Sequence, residues 1–138
     1  MKNLVLILMM VLATIACAQK QAESKVPEAA KTAFAKLNPS IAKVKWDKEE
    51  SSYEVNFKNA AGKEESILFD AQGNVLETEV EIAITDLPDP AKAYLAQQFQ
   101  KAKIREAAKL IDAKGSISYE AEIKGKDFIF DAQGKLKQ

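Results

Sequence analysis

Histidine is absent from the chain and cysteine occurs once, at Cys17. Without histidine there is no side chain that ordinarily titrates near neutral pH, and the commonest transition-metal ligand is missing. Ser-His-Asp, Cys-His and histidine-based zinc chemistry are therefore excluded. One cysteine has no partner within the chain, so no internal disulfide holds the fold. An excess of charge of either sign is lacking too: 20 Lys+Arg stand against 20 Asp+Glu. That balance gives no global attraction to a nucleic-acid backbone, and acids are interleaved with the bases throughout. Glycine-rich phosphate loops, nucleophile elbows and metal-spaced clusters are all missing. With 138 residues the chain has room for one domain or two very small units. These absences predict a protein that is not an enzyme and carries no cofactor.

The longest apolar run is also short. Lys2 and Asn3 precede the segment from Leu4 to Ile15, which falls below the roughly 20 residues that a membrane-spanning helix needs. The run ends in Ala16-Cys17-Ala18 before Gln19, a small-x-small pattern of the secretory type. Residues 1–18 are expected to be a signal peptide cleaved between Ala18 and Gln19, leaving a mature chain with no cysteine. Cys17 allows a second route, lipidation after cleavage in front of it, with Ala16 in a fitting place and Thr14 in an atypical one. Both routes export the protein, to the periplasm or to an outer-membrane anchor. Residues 19–25 read as a polar tether.

What the sequence does contain is an internal repeat. Phe69-Asp70-Ala71-Gln72-Gly73 recurs unchanged as Phe130-Asp131-Ala132-Gln133-Gly134, 61 positions later. The same offset pairs Val26-Pro27-Glu28 with Leu87-Pro88-Asp89 and Phe34-Ala35 with Leu95-Ala96. Tyr53-Glu54 matches Tyr119-Glu120 at an offset of 66, so the copies differ in loop length around that point. The predicted units are 26–86 and 87–138.

Each unit opens with a helix, with Pro27 and Pro88 at first helical positions. Ala30, Ala33, Phe34 and Leu37 form one buried stripe; Ala91, Tyr94, Leu95 and Phe99 form the other. Asn38-Pro39 stops the first helix. After each helix the period changes to two. Val44 and Trp46, then Tyr53, Val55 and Phe57, then Ile67 and Phe69 alternate with polar residues, and Tyr119, Ala121, Ile123, Phe128 and Phe130 repeat the plan. Such strands belong to an antiparallel sheet covered on one side. Propensity alone would make 104–111 a helical extension; the repeat makes it a strand, and the strand is the reading adopted. Asp-Ala-Gln-Gly, twice, and Asp112-Ala113-Lys114-Gly115 read as hairpin turns, and Gly125-Lys126 as a type II′ turn.

The Leu/Val-Pro helix, the strand around Tyr53-Glu54-Val55-Asn56-Phe57 and the closing Phe-Asp-x-x-Gly hairpin, duplicated behind a signal peptide, resemble the PepSY-like family of exported bacterial proteins with a β-lactamase-inhibitor protein-like fold. The resemblance covers nearly all of 26–138. It implies an α+β fold in which the tandem duplication of a helix plus antiparallel strands forms one curved antiparallel sheet with helices on one face. It also implies a role in binding or restraining other envelope proteins, and it transfers no binding residues.

The candidate surface comes from strand parity. Glu77, Glu79 and Glu81 alternate within 74–84 and share a face, with Leu76, Thr78, Val80, Ile82 and Ile84 on the other. That segment is expected to be the longest strand and to join the two copies. Glu54, Glu120 and Glu122 extend the acidic face. Leu68 and Ile129 occupy equivalent places between core-facing neighbours and should point away from the helices, where an apolar pair can mark a contact. Trp46, the only tryptophan, shares parity with Val44 and is expected in the core, as are Tyr53 and Tyr119. The Phe-Asp-Ala-Gln-Gly pairs lack the alternating oxygen ligands of a calcium loop and read as capped turns. The expectation is a non-enzymatic exported module that binds an envelope or secreted protein through Leu68, Glu77, Glu79, Glu81, Glu120, Glu122 and Ile129. The alternative is a small-molecule or cation binder.

Overall fold

The computed structural model describes residues 25–137. The predicted signal peptide, its cleavage point at Ala18 and Gln19, Cys17, and the tether up to residue 24 lie outside the described residues. Helix α1 (Glu28–Leu37) is followed by strands β1 (Val44–Glu49), β2 (Ser52–Lys58), β3 (Glu64–Phe69) and β4 (Val75–Glu81). A 3-10 turn (Ile84–Asp86) leads into α2 (Asp89–Gln98), β5 (Glu106–Asp112), β6 (Ile117–Ile123) and β7 (Lys126–Asp131). The seven strands form one antiparallel sheet in sequence order. The segment 104–111 therefore enters a strand, as the repeat requires and against its helix propensity. β4 joins the copies by pairing with β3 on one side and β5 on the other.

Each copy buries its own core. In the first, Ala30 and Phe34 from α1 meet Trp46, Val55, Phe57, Ile67 and Phe69. Phe34 sits edge-on to Phe57 at 5.1 Å and to Trp46 at 6.0 Å between ring centroids, a favoured aromatic arrangement. In the second, Leu87, Ala91 and Leu95 meet Ala107, Ala121, Ile123 and Phe130. Ile67 pairs with Thr78, which pairs with Ile111, on the strand parity of both cores. The two helices consequently cover the same face, and the α+β architecture with a duplicated helix-plus-strands unit is the one expected.

The helices cover less than the sequence pattern suggests. Leu37, placed on the buried stripe, is the last residue of α1 and is 57% exposed. Pro27 and Pro88 are N-caps in extended conformation rather than first helical residues, and Pro90 takes the first turn of α2. β4 is no longer than β2, β5 or β6, because it ends at Glu81 and the chain turns at Ile84.

The turns keep the sheet in register. Asp70 Oδ1 accepts from the N–H groups of Gln72 and Asn74, at 2.9 and 2.8 Å, and Asp131 and Asp112 repeat this geometry. The Asn74 side-chain amide, donating to Asp70 Oδ2 at 2.8 Å, and then the backbone bonds hold the Asp70 carboxyl below the usual range, and the backbone N–H of Ser116 does the same first for Asp112. A Cβ on Gly73 would lie 2.6 Å from the carbonyl oxygen of Ala29, so this turn packs directly on α1. The last hairpin differs from expectation: its corner is Lys124-Gly125, both with positive φ, which is a type I′ turn closed by Ile123 and Lys126. Lysine in a left-handed conformation gives little sequence signal, so from sequence the glycine reads as the first corner residue, whereas it is the second.

Candidate functional site

The face away from the helices has no element over it among the described residues. Alternation and cross-strand pairing fix its composition. Across one row run Asp47, Glu54, Leu68, Glu77 and Asp112. The next carries Lys45, Asn56, Ser66, Glu79, Leu110, Ser118 and Asp131. Glu81, Ala108, Glu120 and Ile129 follow, and then Glu106, Glu122 and Asp127. The seven residues singled out from the sequence therefore share this face. Glu77 stands opposite Leu68, and Glu120 opposite Ile129.

Sequence parity missed the centre of the surface. Leu110 and Ala108 are only 7% exposed although they belong to the open face. They lie between Glu79 and Ser118 and between Glu81 and Glu120 in the ladder. Strand β5 is apolar on both parities (Ala107, Ala108, Leu110, Ile111), so it shows no period of two from which a face could be assigned.

The carboxylates are poorly compensated. Lys45 pairs with Asp47 at 2.8 Å and Lys58 with Glu64 at 3.1 Å, both toward the rim of the first copy. At the other side Arg105 lies 3.7 Å from Glu106 and 3.6 Å from Glu122. Glu77, Glu79 and Glu120 have no ion pair among the described residues. Burial followed by the neighbouring charges of Glu54 and Glu77 pushes Glu79 up to about 7. Burial, then Glu79, Asp127, Glu77 and Glu122, pushes Glu120 up to about 8. Glu54 is buried and also raised by desolvation, although Asn56 donates to it at 3.3 Å. Glu122 Oε1 is buried without a hydrogen-bond donor.

Carboxylates held near one another, partly desolvated and short of cations, bind protons more tightly than usual and favour an incoming positive charge. Among the described residues no three acidic or sulfur-bearing side chains converge closely enough to hold a metal ion. The groups are spread over the sheet as a surface rather than gathered into a cage. Trp46 plays no part in it; it is buried beneath α1 as expected.

Comparison with known proteins agrees with the geometry. The family described as "Putative beta-lactamase-inhibitor-like, PepSY-like" matches residues 16–77 and again 51–138. A "putative periplasmic" protein from Bacteroides eggerthii has a similar structure, with a TM-score of 0.72, 14% identity and coverage of 82% of this chain and 86% of its own. A DUF2874 family protein from Bacteroides uniformis gives 0.71 at 17% identity, covering 81% and 86%. A BLIP-like protein from Bacteroides fragilis gives 0.62 at 26% identity, covering 81% and 84%. A comparison with curated proteins finds no match.

Proposed function

Because the chain belongs to the PepSY-like, beta-lactamase-inhibitor-like family, we propose that it is a non-enzymatic, exported module that docks a partner protein on its open sheet face. The observation that carries this reading is the uncovered face itself. Half-buried Leu68 on β3 and Ile129 on β7 stand among Glu77, Glu79, Glu81, Glu120 and Glu122, with Leu110 buried on the strand between and few cations nearby. The periplasmic description of a structural neighbour and the secretory pattern at 1–18 support export to the envelope.

Binding would proceed by surface complementarity. Leu68 and Ile129, both half-buried, provide apolar area, and the surrounding carboxylates select lysine- or arginine-bearing surfaces while repelling acidic ones. Charge on the rim acts on the association rate and its salt dependence; desolvated central contacts act on dissociation. The non-enzymatic reading is supported by the spread of the carboxylates over an open surface rather than into a cleft.

The test uses a partner captured by crosslinking in the native envelope and then purified. Glu79→Lys with Glu81→Lys should weaken its binding by about tenfold or more, as expected for like charges placed opposite a basic surface. Unchanged affinity in the double variant would remove the acidic face from the account.

A further inference from the structure

The two copies differ at one place where their symmetry should make them alike. Strand β5 has both edges paired, by β4 and β6. Its counterpart β1 is paired only by β2. At the far side of the sheet β7 is engaged by the chain that follows it, through the Phe130–Leu136 bridge and the bond from Lys137 N–H to the carbonyl of Ile129 at 2.7 Å. The outer edge of β1 is the one left without a strand among the described residues.

A groove runs beside that edge. It has a volume of about 210 Å³ and lies between the C-terminal half of α1 and β1, lined chiefly by Phe34, Pro39, Ile41, Val44 and Trp46. The second copy shows what occupies the equivalent position. There Ile82, just past the end of β4, packs against the core, and its N–H donates to the carbonyl of Ala107 at 2.9 Å. Ala107 stands 61 residues after Trp46. Phe99, in the place of Asn38, packs against that same core. At the repeat offset the chain's own counterpart of Ile82 is Gln21, an amide where the groove asks for an aliphatic group.

We propose that the outer edge of β1 and this groove take up an extended segment of a partner protein by strand addition, antiparallel to β1, with aliphatic side chains toward α1 and basic side chains on the opposite parity. The aliphatic positions follow from Val80 and Ile82 in the internal precedent. The basic positions follow from charge: the residue corresponding to Glu79 would face Glu49, which has no ion pair among the described residues, and the one corresponding to Glu81 would face Asp47, which Lys45 holds at 2.8 Å, where β5 offers Leu110 and Ala108. Main-chain hydrogen bonds along an edge supply affinity in this mode, and the alternating side chains supply selectivity. Lys45 and Lys48 on β1 guard the edge against pairing with uncomplementary chains. The added strand would extend the open face at its Asp47 edge, but its main-chain bonds and aliphatic contacts involve β1 and α1 rather than Glu79 and Glu120, so the peptide test and the docking test can fail separately.

The probe is the peptide with the sequence of residues 74–84 carrying E79K and E81K, which contains no aromatic residue. Its binding is read from the emission of Trp46 and from hydrogen exchange along β1. Saturation is expected below about 1 mM, with slowed exchange along β1. Further changing Ile82→Asp in the peptide, or methylating the backbone nitrogen of Ile82, should each weaken binding by about tenfold or more. The peptide with glutamate at 79 and 81 should bind more weakly, and the gap should narrow with salt. The protein itself is unaltered in these arms, so misfolding cannot imitate the result. No saturation up to about 1 mM, equal binding of the aspartate and N-methyl peptides, or concentration-dependent dimers formed through β1 would overturn the proposal.

Discussion

Replacing Glu79 by glutamine keeps the shape of the side chain and removes its charge, which makes it a direct probe of the acidic face. In the folded protein Glu79 is raised from 4.5 to about 7 and Glu120 from 4.5 to about 8, both chiefly by desolvation. The folded state therefore holds protons that the unfolded chain has already released. Stability from this source is fully present below pH 4.5 and is lost as pH rises through the folded values, so it declines from about pH 5 to about pH 8. Each pH unit of displacement is worth about 1.4 kcal/mol. For Glu79 the full displacement corresponds to about 3 kcal/mol, which solvent screening on an uncovered face reduces to about 1–2 kcal/mol. The Glu120 contribution overlaps with it, because the two carboxylates raise one another. Urea unfolding of wild type and Glu79→Gln at pH 5, 7 and 9 is the assay. Wild type should lose stability across the series, whereas the variant should match it at pH 5 and exceed it by about 1–2 kcal/mol at pH 9. A wild-type stability that rises from pH 5 to pH 9, or a variant with an unchanged slope, would mean that Glu79 holds no extra proton in the folded state.

On the acid side the sign reverses, because the lowered Asp70 and Asp112 stabilise above 3.8 and lose that contribution as pH falls through their folded values; thermal melts of Asp70→Asn should show a shallower acid limb than wild type. Gly73→Ala should cost about 3 kcal/mol or more in urea unfolding, combining positive φ with a 2.6 Å clash on Ala29, while Gly115→Ala, with open space around it, should cost about 1 kcal/mol. Equal losses would show that the Gly73 turn does not pack on α1. Phe69→Ala and Phe130→Ala, each fully buried in one copy, should each cost about 3–5 kcal/mol in the same assay.

The repeat made most of the architecture legible. Identical Phe-Asp-Ala-Gln-Gly turns and matched Pro-helix starts fixed two helix-plus-strands units, and parity correctly put Leu68, Ile129 and the glutamates of β4 and β6 on the face away from the helices. Parity failed at β5, where small and apolar residues occupy both sides and nothing marks Leu110 as the middle of the open face. The closeness of Glu79 and Glu120 was also invisible. It depends on the registers of β4, β5 and β6, which backbone pairing sets. The register irregularity between Leu68 and Phe69 likewise has no clear sequence mark. The groove beside β1 is a property of what is missing next to a strand, and strand patterns report only what is present.

Partners are expected to meet the sheet on its uncovered side. A photo-crosslinking residue placed at Ile129, and separately at the exposed helix position Gln97, measures this in living cells. A discrete partner should crosslink from 129 and be absent from 97. A partner caught from 97 but not from 129 would contradict this.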